Sequence, residues 1–288
     1  MKIVTQEAEL HSLLSRFQRS GLSCGFVPTM GNLHAGHLAL VDAAARQCDR
    51  VIVSIFVNPM QFGQDEDLED YPDTPEEDER ALLEHGVALL YRPRVDDIYP
   101  TGIKLQTRVV VPELSEILCG LSRPGHFTGV ATVVNRLFNQ VQPDMAFFGK
   151  KDYQQYLIIK KMVIDLAMNL KVIGVETVRL DSGLAISSRN NYLTDSELIQ
   201  AAELNRLLLK VAERYRENNE SNTGNNEKII EQGIDQLKAG GFLPDYLSIR
   251  RQSDLREPIA GDVNLIVLVA AWLGKTRLID NLEFSIKV

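Results

Sequence analysis

The sequence predicts an α/β protein, with a mostly parallel sheet covered by helices on both faces and a second, smaller α+β domain. Three observations predict it. Up to about residue 175, short apolar runs alternate with longer segments of helical period. Runs such as Val51–Val57 are almost continuously apolar, as strands covered on both faces are. Near residue 180 the order changes to helices followed by three strand-like runs. The expected domains are therefore residues 1–175 and residues 176–288.

In chain order, a helix is expected over Thr5–Gln18 and a strand over Cys24–Val27. Pro28 has no N–H to give a ladder, so the strand should stop there. A helix over Ala35–Gln47 follows, then the strand Val51–Val57, which ends at Asn58-Pro59. The helix Pro75–His85 leads to strands Val87–Tyr91 and Gln106–Val111. The helix Phe127–Val141 is the clearest, because Val130, Val133, Val134, Leu137, Phe138 and Val141 make one apolar stripe. Strand Met145–Phe148, helix Asp152–Ala167 and strand Val172–Val175 complete the alternation.

In the second part, Thr194-Asp-Ser-Glu197 is a capping box, so a helix should run from there to about Tyr215. Glu217 to Asn226 is polar and aperiodic, which reads as an exposed, mobile loop. A helix over Glu227–Lys238 precedes strands Tyr246–Arg250, Asn264–Trp272 and Arg277–Glu283. Gly274-Lys275-Thr276 imitates the tail of a P-loop, but Val269 stands where the leading glycine belongs, so a turn is expected.

Composition excludes several classes. No run of 18 apolar residues is present, and Met1–Glu7 begins no signal peptide. Three cysteines, Cys24, Cys48 and Cys119, suit a reducing cytoplasm better than a disulfide framework, and Cys24 and Cys48 should be buried and inert. Net charge is −8, but ten of the 39 acidic residues fall between Asp65 and Glu79, leaving 29 against 31 basic ones. That stretch reads as a solvated loop and exposed helix, and no basic face for nucleic acid remains.

The chemistry concentrates at strand ends. After the first strand comes Pro28-Thr-Met-Gly-Asn-Leu-His-Ala-Gly-His37. His34 and His37, three apart at a helix start, share a face beside free backbone N–H groups, which suits a triphosphate without a P-loop. A zinc pair would want a glutamate where Ala35 stands. Asn58 and Gln61 end the next strand, and neutral amides suit a substrate carrying hydroxyls and a carboxylate. Gly149-Lys150-Lys151-Asp152 opens a helix with lysines that oppose its dipole, and Gln155 lies three residues on. Ser187-Ser188-Arg189 offers hydroxyls and a guanidinium to phosphate oxygens. Singly, each of these is an ordinary loop.

Their joint order is not ordinary. The His-x-Gly-His spacing resembles the nucleotidyltransferase superfamily. The longer strings Pro28–His37, Val57–Phe62, Arg123–Phe127, Phe148–Gln155, Ser187–Asn190 and Ala270–Gly274 resemble the pantothenate synthetase (pantoate–β-alanine ligase) family across nearly the whole chain. Lys150 departs from the Glu or Gln common there.

The resemblance implies a Rossmann-like domain and a C-terminal lid. It implies an ATP-dependent ligase that joins pantoate to β-alanine through pantoyl adenylate, releasing AMP and pyrophosphate. ATP binding would fall to Met30, Gly31, Asn32, Leu33, His34, Ala35, Gly36 and His37, to Gly149, Lys150, Lys151 and Asp152, and to Val178, Ile186, Ser187, Ser188 and Arg189. Among these, His37, His34 and Lys151 would be catalytic, and Val178, on a strand Val175–Leu180, would lie beside adenine. Gln61 and Gln155 would hold pantoate with Asn58 in support, Gln61 would also meet β-alanine, and Arg123 and His126 would lie near the acyl end. Mg²⁺ would come with ATP, with no dedicated protein ligands, and the enzyme would be a cytoplasmic homodimer. The competing enzyme reading is a cytidylyltransferase-like protein that keeps the nucleotide on its product, and the competing non-enzyme reading is a nucleotide-binding protein without turnover.

Overall fold

A computed structural model describes the chain except residues 64–67, 69–70, 221–225 and 287–288. The chain divides into two compact units, Met1–Lys150 with Gln155–Glu176, and Lys151–Gln154 with Thr177–Val288. The four-residue segment Lys151–Gln154 thus groups with the second unit.

The first unit carries β1 (Lys2–Val4), α1 (Glu7–Arg19), β2 (Cys24–Thr29), α2 (Ala35–Ala45), β3 (Arg50–Ile55), α3 (Pro75–Glu84) and β4 (Leu89–Tyr91). There follow the short α4 (Val95–Ile98) and α5 (Cys119–Ser122), then α6 (His126–Val141), β5 (Met145–Gly149), α7 (Tyr153–Asp165, whose first two residues group with the second unit) and β6 (Lys171–Val175). The six strands form one sheet in the order β1-β4-β3-β2-β5-β6, and every pairing is parallel. Chain order reverses between β2 and β5, the switch point where α/β sheets bind ligands at their carboxyl ends. The segments leaving β2 and β5 are those with the His-x-Gly-His and Gly-Lys-Lys sequences. Phe26, Ile52, Leu90 and Phe147 are fully buried, each contributing about 1.5–3 kcal/mol of transfer free energy.

Three expectations for this unit are corrected. Gln106–Val111 joins no ladder. The edge of β4 away from β3 is taken by β1, a three-residue strand too short to announce itself, and Val109 N–H donates instead to Thr132 Oγ1 at 2.9 Å. The strand β2 runs through Pro28 to Thr29. On its β5 side the pairing ends at Phe26, so the missing N–H removes no ladder bond. The acidic stretch is not uniformly solvated, since Asp78 is 3% exposed; residues 65–67, 69 and 70 of that stretch lie outside the described residues.

The second unit carries α8 (Asp195–Ala201), α9 (Glu203–Glu220), α10 (Asn226–Ala239), β7 (Leu243–Arg251), β8 (Asn264–Leu273) and β9 (Thr276–Ser285). The strands form an antiparallel sheet in chain order, and Leu204, Leu208 and Val211 of α9 share a core with Leu265, Val267 and Val269 of β8. The Thr194 capping box is present, with Thr194 N–H donating to Glu197 Oε2 at 2.8 Å. The single helix expected to Tyr215 is two, meeting at Ala202. Of the expected loop, 217–220 and Asn226 are helical, and 221–225 lie outside the described residues. Gly274-Lys275 makes the β8–β9 turn.

Candidate active site

In the first unit, β2 feeds the turn that ends at α2, and the turn is built around His34. His34 is the N-cap of α2; its Nδ1 accepts from Gly36 N–H at 3.1 Å, and His37 Nδ1 accepts from His34 N–H at 3.3 Å. The two rings stack with centroids 4.0 Å apart. Because both Nδ1 atoms accept from main-chain donors, each neutral ring carries its proton on Nε2, and both are hydrogen-bond donors there. A side chain at Gly36 would place Cβ 2.8 Å from His34 Cε1, so glycine is what lets the His34 ring keep this position.

The turn itself is clamped by Asp78 of α3. Asn32 N–H donates to Asp78 Oδ2 at 2.9 Å, Leu33 N–H to Oδ1 at 2.8 Å, and the Thr74 hydroxyl to Oδ1 at 3.2 Å. Asn32 lies in the left-handed region at φ 50°, and that conformation is held by this carboxylate. Among the described residues, Asn32 Nδ2 is a buried donor without an acceptor. Sequence reasoning missed Asp78 because it sits in an acidic run; its position one helical turn after Thr74 is the only local signal.

Asn58 and Gln61 flank the 3₁₀ turn Pro59–Gln61 after β3. Helix α6 approaches this turn so closely that a Cβ on Gly129 would fall 2.4 Å from the Met60 carbonyl oxygen. Asn58 is buried, and its amide is occupied within the protein by Met60, Tyr99, Gly129 and Gln61. Gln61 Nε2 meets Met30 Sδ at 2.9 Å. His126 Nδ1 lies 2.8 Å from the Gln61 carbonyl oxygen and its Nε2 lies 3.0 Å from Arg123 Nη1. The carbonyl can only accept and the guanidinium can only donate, so His126 is a neutral Nδ1–H ring that braces the Gln61 backbone.

Gly149 ends β5 half-buried. Lys150 Nζ pairs with Glu176 at 2.6 Å, which gives the first lysine a local anionic partner. Gln155 is half-buried, and among the described residues its amide has no hydrogen-bond partner.

In the second unit, Lys151 is half-buried and Asp152 exposed. The Lys151 carbonyl accepts from Asn281 Nδ2 at 2.8 Å, and the Tyr153 hydroxyl lies 3.1 Å from Glu283 Oε1. Ile186 N–H donates to the Val178 carbonyl at 3.0 Å, and Arg179 bridges Ala185 in antiparallel fashion. Val178 therefore lies in a small hairpin, not in the expected strand Val175–Leu180. Ser187 caps a 3₁₀ helix over Ser188–Tyr192, with Oγ accepting from Arg189 N–H at 3.3 Å. The hairpin is fastened by Arg179, which makes two parallel bonds to buried Asp280 at 2.7 and 2.9 Å. Neither partner was visible in the sequence, because 100 residues separate them.

A model of a family described as pantoate–β-alanine ligase matches residues 2–283 of this chain. The chain belongs to that family. A pantothenate synthetase of Pseudomonas putida is 51% identical over 291 aligned residues, covering 100% of this chain and 99% of the relative. One from Shewanella loihica is 51% identical over 96% of this chain and 97% of its own length. Among solved structures, pantothenate synthetase from Thermus thermophilus superposes with a TM-score of 0.86 at 44% identity, covering 98% of this chain and 99% of that one. The Francisella tularensis pantoate–β-alanine ligase, complexed with beta-gamma ATP and beta-alanine, gives 0.80 at 34% identity, covering 98% and 97%. Membership of the pantoate–β-alanine ligase family decides among the readings of the sequence: the chain is an enzyme, and it ligates pantoate to β-alanine.

Proposed function

We propose that this ligase activates pantoate with ATP as pantoyl adenylate. A pantoate carboxylate oxygen attacks the α-phosphorus and the bond to the bridging oxygen breaks, releasing pyrophosphate. The β-alanine amine, as its neutral form, then attacks the acyl carbon; the C–O bond to AMP breaks and the amine loses a proton. A carboxylate needs activation of this kind before an amine can displace its oxygen, since oxide is a poor leaving group and AMP a good one. The observation that carries this reading is the reciprocal cap of His34 and His37, which makes both rings Nε2–H donors at a helix N-terminus.

In this reading His34 and His37 bind phosphate oxygens, and His37 gives a hydrogen bond to the departing pyrophosphate. Lys151, Ser187, Ser188 and Arg189 offset phosphate charge, with Asp152 beside them. Met30 to Gly36, with Gly149, line the nucleotide with backbone, while Val178 and Ile186 meet adenine. Gln61 and Gln155 hold pantoate, and Gln61 also meets β-alanine. Asn58, engaged on every side, supports Gln61. Lys150, paired with Glu176, contributes less than Lys151. Mg²⁺ would come with ATP, carried on the phosphates themselves and supplying charge neutralisation there. The enzyme is read as a homodimer of the cytoplasm, a compartment that its three free thiols suit; sedimentation checks the first part.

The deciding experiment supplies pantoate labelled with ¹⁸O in its carboxylate. One labelled oxygen should appear in AMP for each pantothenate made. Label absent from AMP, with pantothenate formed, would rule out the adenylate.

A further inference from the structure

The Gln61 amide belongs to a chain of hydrogen bonds whose polarity is fixed. Asn58 Oδ1 accepts from Met60 N–H at 3.2 Å, and Asn58 Nδ2 donates to the Gly129 carbonyl at 3.2 Å. A main-chain N–H can only donate and a carbonyl can only accept, so the two ends of the Asn58 amide are identified independently of any other side chain. The Tyr99 hydroxyl, 2.6 Å from Oδ1, must therefore be the donor. Burial pushes its pKa well above the ordinary tyrosine range, so it stays protonated at any working pH. The second hydrogen of Asn58 Nδ2 reaches Gln61 Oε1 at 3.1 Å. The oxygen of Gln61 is thus engaged inside the protein. Its Nε2 is the end left for a ligand, and it rests 2.9 Å from Met30 Sδ, a weak acceptor that an oxygen would outcompete.

We propose that Tyr99 and Asn58 are positioning residues that lock the Gln61 amide with its N–H groups toward the substrate, so that this position selects a hydrogen-bond-accepting oxygen of pantoate. A donor placed there would face a donor, and a buried mismatch of that kind discriminates far more strongly than a missing methylene does. The inference rests on the reading of Gln61 as a pantoate contact.

The test measures pantoate and ATP dissociation constants by calorimetry for Tyr99→Phe, Gln61→Ala and the double variant. Tyr99→Phe removes only the hydroxyl and keeps the ring beside Phe56, centroids 6.2 Å apart. It should weaken pantoate about tenfold and ATP less than about twofold, and the pantoate effect should vanish in the Gln61→Ala background, as coupling through Gln61 requires. No weakening in Tyr99→Phe, or the same weakening with Gln61 already removed, overturns the proposal while leaving Gln61 as a contact. Unchanged pantoate affinity in Gln61→Ala instead overturns the reading beneath it. Asn58→Asp gives a second variant: an oxygen replaces Nδ2, draws the Gln61 amide N–H inward, and should weaken pantoate in the same Gln61-dependent way.

Discussion

Asn281 Nδ2 donates to the main-chain carbonyl of Lys151 at 2.8 Å, across 130 residues of sequence. Asn281 follows Asp280, whose carboxylate holds Arg179 and accepts from Asn281 N–H at 2.7 Å. One strand edge therefore fastens both the lysine and the hairpin carrying Val178 and Ile186. Replacing Asn281 by Ala removes this hydrogen bond, which costs about 0.5–1.5 kcal/mol. Thermal unfolding should drop by about 2–4 °C for each of those kcal/mol. KM for ATP should rise with it, and an unchanged ATP KM would separate Asn281 from nucleotide binding.

Asp78 should matter more than its place in an acidic run suggests. Its two oxygens take two main-chain N–H groups in the turn before His34, and the Thr74 hydroxyl as well. Asp78→Ala strands those donors, and hydrogen bonds to a charged acceptor are worth about 1.5–3 kcal/mol each. Chemical denaturation should show a loss of about 3 kcal/mol. Asp78→Asn, which keeps one acceptor oxygen, should recover part of it and part of the ATP affinity.

Gly36→Ala is expected to separate stability from activity. Alanine is the better helix former by up to about 1 kcal/mol, so the melting temperature should not fall by much. The new methyl, however, would start 2.8 Å from His34 Cε1 and must turn that ring away. Pantoate-dependent pyrophosphate release should fall at least about tenfold. Full activity in this variant would show that the ring position is not critical.

The parallel sheet was legible in the sequence because its strands are apolar runs set between helical segments, and periodicity registers both. The histidine turn was legible because Pro28, Gly36 and the histidine spacing are local. What was hidden is non-local. The strand-like Gln106–Val111 has β-branched residues but joins no ladder, the edge of β4 being taken by β1, and β propensity only acts where a neighbour strand is paired. Asp78, Tyr99 and Asp280 each act through a partner 41 to 101 residues away, which no window of sequence contains. The break at Ala202, a buried residue of the second unit's core, likewise has no local mark, since both helices it joins have good helical sequence.

The alkaline limit of stability should carry the mark of Cys24. Burial, with the Asp144 carboxylate beside it, pushes this thiol from its ordinary 9.0 to about 11. A folded-state pKa above the unfolded one means a contribution fully present below pH 9.0 and lost as pH rises toward about 11. Melting temperature should therefore fall across that window, and fall less steeply in Cys24→Ala. Equal slopes for the two proteins would remove Cys24 as the cause. The same shift predicts that native Cys24 resists iodoacetamide at neutral pH, since the thiolate is the nucleophile.

His37 and Lys151 offer the sharpest kinetic prediction. Both are read as groups that meet charge developing on the phosphates, so their loss should appear in the first chemical step and not in amide formation. Removing one such donor typically costs about 10²–10³ in rate. His37→Ala and Lys151→Ala should therefore lower the pre-steady-state formation of pantoyl adenylate by about that factor. Aminolysis of adenylate supplied ready-made should proceed nearly as in the unaltered enzyme. In His37→Ala the cap is also lost, because His34 N–H no longer has an Nδ1 to donate to. His37→Asn restores an acceptor near that position without an Nε2–H. If it is as slow as His37→Ala, the missing donor is the cause; if it recovers the rate, His37 serves the turn and the proton-bearing role passes to His34.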